Sequence, residues 1–457
     1  MNSKRVLCLA LAAVLTSATA TARAQTQMTV SGDREESVPI TSDEVSGIKF
    51  EDGSVLSFDT STWGPGTSAI TIKDGATIAF TTDSGSAGDL IISGATGRAI
   101  SNYQSVDNGT DAVLDLTQLK SITLTGNTSQ AEGGGIYLRS LGAHAIVLKV
   151  GDDATISDNK SAQGSAIYAM TGTGALTVSL GHNLLVSGNE SNINGLDFGA
   201  MHFQSFSTTA TDITIGDFAK FHNNSMIGQQ GNAGATGGGG AIGLYLSRSG
   251  VLTIGNGAEF IGNSSTINEV SGKTTGVSGG GAILATSLSD SVKITVGAGS
   301  LFSGNWVEVN GATSGAYVGG GAIYQYGNAS ELTINGGTRF ENNSATNNGG
   351  AILLAGRTTN PTLNLDTADG DIVFTGNKHK VSSYTNGQPD EGSGEGNSIY
   401  LVSGSNNAEI NITGARNIYF DDPVVVDIDS GSSANLNLGS SSAWDPIGFV
   451  SCRGITN

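Results

Sequence analysis

The sequence is poor in cysteine, in proline and in positive charge. Its 457 residues include 2 Cys and 6 Pro, and 21 Lys and Arg stand against 40 Asp and Glu, so the formal net charge is −19. Cys8 lies in an apolar N-terminal segment and Cys452 near the C-terminus. If the N-terminal segment is removed, only Cys452 remains, and an intramolecular disulfide is excluded. The acidic balance repels nucleic acid and anionic membranes, and we expect neither as a partner.

Long apolar runs are also missing, apart from one short run at the N-terminus. Two basic residues precede this run, and the small-x-small sequence Ala22-Arg23-Ala24 follows it. The pattern predicts a signal peptide over residues 1–24, with cleavage between Ala24 and Gln25. The run is too short to cross a membrane, so we expect no integral membrane segment in the mature chain. Cleavage removes three positive charges and no negative ones, which moves the net charge from −19 to −22.

Glycine is abundant, at 68 residues, and part of it belongs to a repeated motif. Phe-x-x-Asn and Gly-Gly-Ala-Ile alternate along the chain, and the Asn positions, including degenerate copies at Asn127, Asn159 and Asn189, recur every 30–42 residues. Such a period predicts a repeat architecture. The unaltered Phe-x-x-Asn copies are Phe221 and Asn224, Phe260 and Asn263, Phe302 and Asn305, Phe340 and Asn343, and Phe374 and Asn377. The unaltered Gly-Gly-Ala-Ile copies are Gly239, Gly240, Ala241 and Ile242; Gly280, Gly281, Ala282 and Ile283; Gly320, Gly321, Ala322 and Ile323; and Gly349, Gly350, Ala351 and Ile352.

Each repeat also contains a run of Val, Ile, Leu and Thr shortly before Phe-x-x-Asn, such as VLTI at 251–254. Alternation of apolar and polar residues predicts strands, and the intervening Gly, Asn and Ser predict turns. The gap between the two tetrapeptides varies from five residues after Asn343 to sixteen after Asn263, as a corner loop would. We therefore predict an all-β fold, a right-handed parallel β-helix (solenoid) with three-strand rungs and variable corner loops. The spacing leaves open whether one repeat is one rung.

The motif residues have a structural interpretation. Inward-facing Phe residues of successive rungs would stack into an apolar column. An Asn at a corner can hydrogen-bond the Asn above and below it, and the glycines allow a sharp turn before the next strand. Gly-rich segments at 231–240 and 386–397 are predicted to be solvated corner loops.

The alternating tetrapeptides resemble the repeats of the polymorphic outer membrane proteins, first known from chlamydiae, and of related autotransporter passengers. The resemblance covers about 121–404, and NIYFDDPV at 417–424 resembles the segment that closes such repeat regions. It implies a secreted β-helical passenger, often an adhesin, that a C-terminal β-barrel carries to the cell surface.

Four regions follow from these patterns. They are the signal peptide (1–24), the N-terminal β-helix rungs and cap (25–120), the repeat β-helix (121–404), and a tail that ends the repeat region (405–457). Only 34 residues follow Pro423, too few for a translocator barrel. We expect a truncated or split passenger that crosses the inner membrane and reaches the outer membrane, cell surface or extracellular space, or the periplasm if a translocator is truly missing.

Signals for catalysis are sparse. The histidines are His144, His182, His202, His222 and His379, and they fall at different points of the repeat. The sequence contains no His-x-x-x-His pair, Cys cluster, nucleophile elbow, phosphate-binding loop or calcium array. The paired aspartates Asp152-Asp153 and Asp421-Asp422 would point to opposite faces of a strand. We expect no enzyme, no catalytic or metal-binding residue and no cofactor.

The function predicted from the sequence is that of an exported adhesin or binding surface whose partner is a host-cell surface protein or glycan. One alternative is a non-adhesive or self-associating stalk, since an open solenoid end presents unpaired strand edges. A β-helical polysaccharide-active enzyme is a second alternative. The identity of the ligand and the oligomeric state cannot be read from a scaffold of this kind.

Overall fold

The computed structural model describes twelve ranges of the chain, and in these ranges every regular element is a β-strand. The ranges are 25–82, 88–105, 110–193, 198–209, 211–230, 237–269, 277–310, 318–356, 361–385, 387–403, 407–428 and 433–438. Within them, no helix has the length and apolarity needed to cross a membrane.

Two twelve-stranded parallel sheets contain the repeated tetrapeptides. The Phe sheet contains the Phe of Phe-x-x-Asn, and its strands are Asp33–Glu36, Val55–Phe58, Asp89–Ser93, Ser121–Thr125, Thr155–Ser157, Leu185–Ser187, Lys220–His222, Glu259–Ile261, Leu301–Ser303, Arg339–Glu341, Ile372–Thr375 and Ile418–Phe420. The Ile sheet begins at the Ile of Gly-Gly-Ala-Ile, and its strands are Ile40–Thr41, Ile70–Ile72, Ile100–Gln104, Ile136–Ser140, Ile167–Thr171, Met201–Ser205, Ile242–Leu246, Ile283–Ser287, Ile323–Gly327, Ile352–Gly356, Ile399–Ser403 and Val424–Ile428.

A ten-stranded parallel sheet, the Thr sheet, forms the third side of the solenoid. Its strands are Ala112–Asp115, Ile146–Val150, Leu176–Leu180, Thr211–Ile215, Gly250–Ile254, Val292–Val296, Glu331–Asn335, Thr362–Asp366, Ala408–Thr413 and Ala434–Leu438. In the first three rungs a separate three-stranded sheet precedes the Phe-sheet strand in chain order, as the Thr sheet does later. Its strands are Thr26–Val30, Val45–Phe50 and Ala79–Thr82.

An eight-stranded sheet, the arm sheet, adds a fourth strand to the later rungs. Its strands are Lys160–Ser161, Glu190–Ile193, Ser225–Gln230, Ser264–Glu269, Trp306–Asn310, Ser344–Ala345, Lys378–His379 and Glu395–Gly396. Three two-residue strands lead back from the longest insertions, and a short hairpin follows them in the chain. These strands are Gly237–Gly238, Ser278–Gly279 and Val318–Gly319, and the hairpin is Tyr384–Thr385 with Gln388–Pro389.

The strand register shows that one repeat is one rung. Phe221 lies opposite Phe260, and Phe260 lies opposite Phe302, in adjacent parallel strands. The sheets therefore stack corresponding residues of successive repeats directly over one another, which confirms the predicted parallel β-helix. Rung spacing is set by the distance between hydrogen-bonded strands, about 4.8 Å.

The motif Phe residues stack inside the solenoid. Phe221, Phe260, Phe302, Phe340 and Phe374 are fully buried. Centroids of neighbouring rings are 4.5–4.8 Å apart and the rings lie within 9° of parallel. Phe420 continues the stack at 5.0 Å from Phe374. The rings stack face to face because corresponding Phe residues lie on adjacent hydrogen-bonded strands, which are one rung apart.

Buried asparagines form a continuous hydrogen-bonded ladder at the corner after the Phe sheet. Each Asn Nδ2 donates to the Oδ1 of the next Asn at 2.8–3.0 Å, and each backbone N donates to the same oxygen at 3.0–3.2 Å. Each Nδ2 also donates to a backbone carbonyl of the preceding rung, as Asn263 does to Phe221 at 2.7 Å. The ladder consists of Asn127, Asn159, Asn189, Asn224, Asn263, Asn305, Asn343 and Asn377.

Both glycines of Gly-Gly-Ala-Ile are required by the backbone. The first has φ between 65° and 70° in all four unaltered copies, a region that glycine enters without strain. At the second, a Cβ would meet the backbone of the next rung; on Gly281 it would lie 2.1 Å from the carbonyl oxygen of Gly321. The following Ala and Ile are fully buried in the core.

The segments between the two tetrapeptides are more than corner loops, which corrects one expectation. Residues 264–269 and 306–310 are strands that pair in parallel. Together with the strand Ser225–Gln230, they form three stacked arms. Residues 231–236, 270–276 and 311–317, which follow these strands in the chain, lie outside the described residues. The arms have a small core of their own, made of Met226, Ile267, Val307, Val309, Val318 and Ala345.

A matched pair of Phe substitutions tests the stacked column. We expect Phe302→Ala to lower the free energy of unfolding by about 3–5 kcal/mol, because it leaves a cavity between two stacked rings. Phe218 is 56% exposed. The control substitution Phe218→Ala should therefore change the free energy of unfolding by less than about 1 kcal/mol. Urea unfolding followed by circular dichroism measures both. Equal losses for the two variants would show that the column does not stabilise the fold.

Candidate binding surface

The Phe and Asn of Phe-x-x-Asn and the Ala and Ile of Gly-Gly-Ala-Ile cannot contact a ligand in the folded chain, whereas middle residues of Phe-x-x-Asn such as Asn223 and Asn342 are exposed. The first Phe and the last Asn of the motif have no exposed surface, and the Ala and Ile of each unaltered Gly-Gly-Ala-Ile copy are also buried. The motif residues therefore build the scaffold, and a binding surface must be made from other side chains.

The outer face of the Ile sheet presents such side chains. Residues alternate between the two faces of a strand, so the second and fourth residues of each Ile-sheet strand point away from the core. Between the third and seventh rungs this outer face carries mostly aromatic groups and one cation. We call it the aromatic face, and it comprises Tyr103, Tyr137, Arg139, Tyr168, Met170, His202, Gln204 and Tyr245, with Phe198 and Phe206 beside them.

Aromatic rings of the face contact one another from rung to rung. Tyr137 stacks on Tyr168 with centroids 5.4 Å apart, and Tyr168 meets His202 edge-on at 5.1 Å. The ring centroid of Phe198 lies 4.4 Å from that of His202 and 6.1 Å from that of Tyr245. These contacts fix the rings in place, so the face is preorganised for binding.

The two ends of the face are the most open. Tyr103 is 38% exposed in the third rung, and Phe206 is 39% exposed beside Tyr245 in the seventh. Over four rung steps of about 4.8 Å each, the face is roughly 20 Å long. In the fourth and fifth rungs, the segments that follow Asn127 and Asn159 and precede the next Ile-sheet strand are short. No long arm therefore begins in these two rungs.

Two arginines near Tyr137 have different surroundings. The Arg98 guanidinium lies 3.7 Å above the Tyr137 ring, and its Nε donates to the backbone oxygen of Glu132 at 2.8 Å. Its Nη2 is also 3.7 Å from the Glu132 carboxylate. Burial lowers the pKa of Arg98, but an arginine keeps its charge at neutral pH. Arg139, by contrast, has no ion pair with any described residue.

The five histidines do not converge. His202 is buried in the aromatic face, His182 lies 3.6 Å from Asp217, and His222 lies 3.1 Å from Glu259. His379 is 3.4 Å from Glu395. Among the residues that the structure describes, no group of three His, Cys, Asp or Glu side chains could hold a metal ion.

The paired aspartates have structural contacts. Asp152 Oδ1 accepts a hydrogen bond from the backbone N of His182 at 2.7 Å. Asp422 ends the asparagine ladder, since its Oδ2 accepts from the backbone N of Asn377 at 2.7 Å. Asp421 accepts from the Thr375 hydroxyl at 2.6 Å. Each carboxylate completes a hydrogen bond between rungs, and these contacts do not bring the pair into an acid–base arrangement.

The hairpin Tyr384–Thr385 with Gln388–Pro389, which lies in the chain between the last two arm-sheet strands, covers part of the arm edge. The strand Trp306–Asn310 pairs with only two residues of the next rung, Ser344 and Ala345. Beyond them, Thr346 Oγ1 accepts from Val309 N at 3.0 Å, and the Tyr384 hydroxyl donates to Val307 O at 3.0 Å. Side chains thus replace a missing strand and protect the edge. Part of the predicted solvated loop 386–397 belongs to this hairpin, and residue 386 lies outside the described residues.

The architecture defines a class of protein, a parallel β-helix whose rungs are built from Phe-x-x-Asn and Gly-Gly-Ala-Ile repeats. The family model described as the Chlamydia polymorphic membrane protein (Chlamydia_PMP) repeat matches residues 121–139 and 332–355. This match confirms the predicted resemblance of the repeats, and the repeat family indicates an autotransporter-like surface passenger. No curated protein and no solved structure matches the chain.

Sequence reasoning did not identify the aromatic face, although a signal was present. The residue after the first Ile-sheet position is Tyr in four rungs, at Tyr137, Tyr168, Tyr324 and Tyr400. Tyr137 and Tyr168 belong to the aromatic face, so attention to this outward position would have found its centre.

Burial of His202 predicts a pH-dependent stability. Burial lowers its pKa to about 3, below the unfolded value of about 6.5. The folded chain therefore binds fewer protons than the unfolded chain between these values. The contribution of His202 is fully present above about pH 6.5 and is lost as pH falls, by about 1.4 kcal/mol per pH unit.

Urea midpoints at pH 7, 6 and 5 test this expectation. His202→Phe should lose less stability between pH 7 and pH 5 than the wild-type chain, because no proton has to be excluded. His144→Gln serves as a control that should keep the wild-type dependence. A wild-type pH dependence in the His202 variant would refute burial of a neutral imidazole.

Proposed function

We propose that the chain is an exported, surface-displayed binding passenger, an adhesin that contacts a host-cell surface protein or glycan through the aromatic face. The observation that carries the proposal is the division of side chains in the solenoid. The Phe and Asn of the repeated motif are buried in the core, while the outer face of the Ile sheet collects contacting aromatic rings whose end members, Tyr103 and Phe206, are exposed. Aromatic side chains dominate binding energy where they become desolvated at an interface.

The proposed function includes export and excludes catalysis. Export is supported by the signal-peptide pattern of residues 1–24, and surface display by the repeat family. We propose binding without chemistry because the histidines are dispersed and the paired aspartates make hydrogen bonds between rungs. A self-associating stalk is the competing function, and the covered edge of the arm sheet argues against association at that edge.

Binding of the purified chain 25–457 to host epithelial cells tests the proposal. We expect saturable binding that Tyr103→Ala with Phe206→Ala weakens about tenfold or more, as the loss of a hot-spot residue does. The matched control is Phe218→Ala with Tyr419→Ala, which removes two exposed aromatic side chains elsewhere, 56% and 48% exposed.

The outcomes separate the alternatives. Unchanged circular dichroism in both double variants shows that any loss of binding is local. Equal binding by the two double variants would exclude the aromatic face as the contact surface. A wild-type chain that shows no saturable binding but associates with itself in sedimentation experiments would favour the stalk.

A further inference from the structure

Arg139 lies on the aromatic face without an ion-pair partner among the described residues, and its side chain donates a hydrogen bond to the Tyr137 hydroxyl. It is half-buried on the strand Ile136–Ser140, between Tyr103 and Met170 of the neighbouring rungs. Its guanidinium carbon lies 6.0 Å from the Tyr103 ring centroid. Its Nε is buried and has no hydrogen-bond acceptor in the part of the chain that the structure describes.

The neighbouring Arg98, by contrast, has acceptors for its guanidinium group. Its Nε and Nη2 face the backbone oxygen and the carboxylate of Glu132. A buried donor without an acceptor destabilises the folded state, and more so when the group is charged. Because Arg139 carries this cost in a chain with nearly twice as many acidic as basic residues, an anion from outside the chain would complete its hydrogen bonding.

We propose that Arg139 binds the carboxylate of an acidic sugar whose ring lies against the aromatic face. This proposal rests on the proposed function and names the ligand class of the same surface. A guanidinium matches the planar carboxylate with two parallel hydrogen bonds. Tyr103, on the rung before Arg139, offers an exposed ring against which the apolar face of a sugar can pack.

The overall charge restricts the ligand to one with few negative charges. The net charge of the chain without residues 1–24, −19 − 3 = −22, opposes the approach of a polyanion, whereas a single carboxylate meets mainly the local field of Arg139. Charges farther away than about 8 Å are largely screened at physiological ionic strength. The site should therefore prefer a sugar with one carboxylate over a highly sulfated polysaccharide.

Titration calorimetry with four probes tests the ligand class on the chain 25–457. The probes are N-acetylneuraminic acid as its methyl glycoside, the methyl ester of that compound, methyl galactoside 6-sulfate, and heparin. We expect the carboxylate sugar to bind best, and its ester to bind about tenfold or more weakly, because the ester cannot accept charge-assisted hydrogen bonds from Arg139.

Substitutions then assign the binding to Arg139. Arg139→Gln should lower the affinity for the carboxylate sugar to that for the ester. Arg139→Lys should keep only part of the affinity, because an ammonium group lacks the planar fork of a guanidinium. Arg339→Gln, which removes a guanidinium from the Phe sheet, is the control and should leave binding unchanged. Thermal melting of each variant verifies that the fold is kept.

Three results would overturn the proposal. They are equal binding of acid and ester, preference for the sulfated sugar or heparin, and full binding by a folded Arg139→Gln variant. If the chain still binds cells and loses that binding in the Tyr103 and Phe206 double variant, the proposed function stands and only the ligand class is wrong. If neither cells nor sugars bind, both fail.

Discussion

The buried asparagine ladder is the constraint on which the rest of the structure depends. Each side chain joins two rungs through its amide and also satisfies a backbone carbonyl that the sharp corner leaves over, as Asn263 does between Phe221 and Asn305. A buried amide without these partners would cost about 1–3 kcal/mol per lost group, so each repeat must place its Asn over the previous one. One repeat therefore equals one rung, and the Phe column and the Ile sheet follow in register.

This constraint leaves the outer surface free to vary. The second residue of each Ile-sheet strand is Tyr at 137 and 168, His at 202 and Gly at 243, although the first is always apolar in these rungs. Insertions after the ladder range from a short corner to arms with their own core. The proposed recognition surface thus uses positions that the scaffold does not need, and the buried motif sets only where those positions lie.

Patterns that repeat with the rungs could be predicted from the sequence, and features formed between rungs could not. Phe302 and Asn305 recur in register, so their stacking and hydrogen bonding follow from strand geometry. The arm strands were missed because Ile267 and Val309 lie in polar, Gly-rich insertions and find their core only in neighbouring arms. Arg139 carries no sequence signal, since the unsatisfied Nε of its guanidinium is a property of the folded surface.

The most direct test of this account is the removal of one complete repeat. Deleting residues 264–305 removes 42 residues, the separation of Asn263 and Asn305, and joins Asn263 to Trp306 in the context that Asn305 has now. Circular dichroism and urea unfolding should show a folded β-helix that is one rung shorter and keeps its cooperative transition. Deleting only 285–305 breaks the ladder and should abolish the fold. If both deletions unfold the chain equally, the claim that one repeat is one interchangeable rung is wrong.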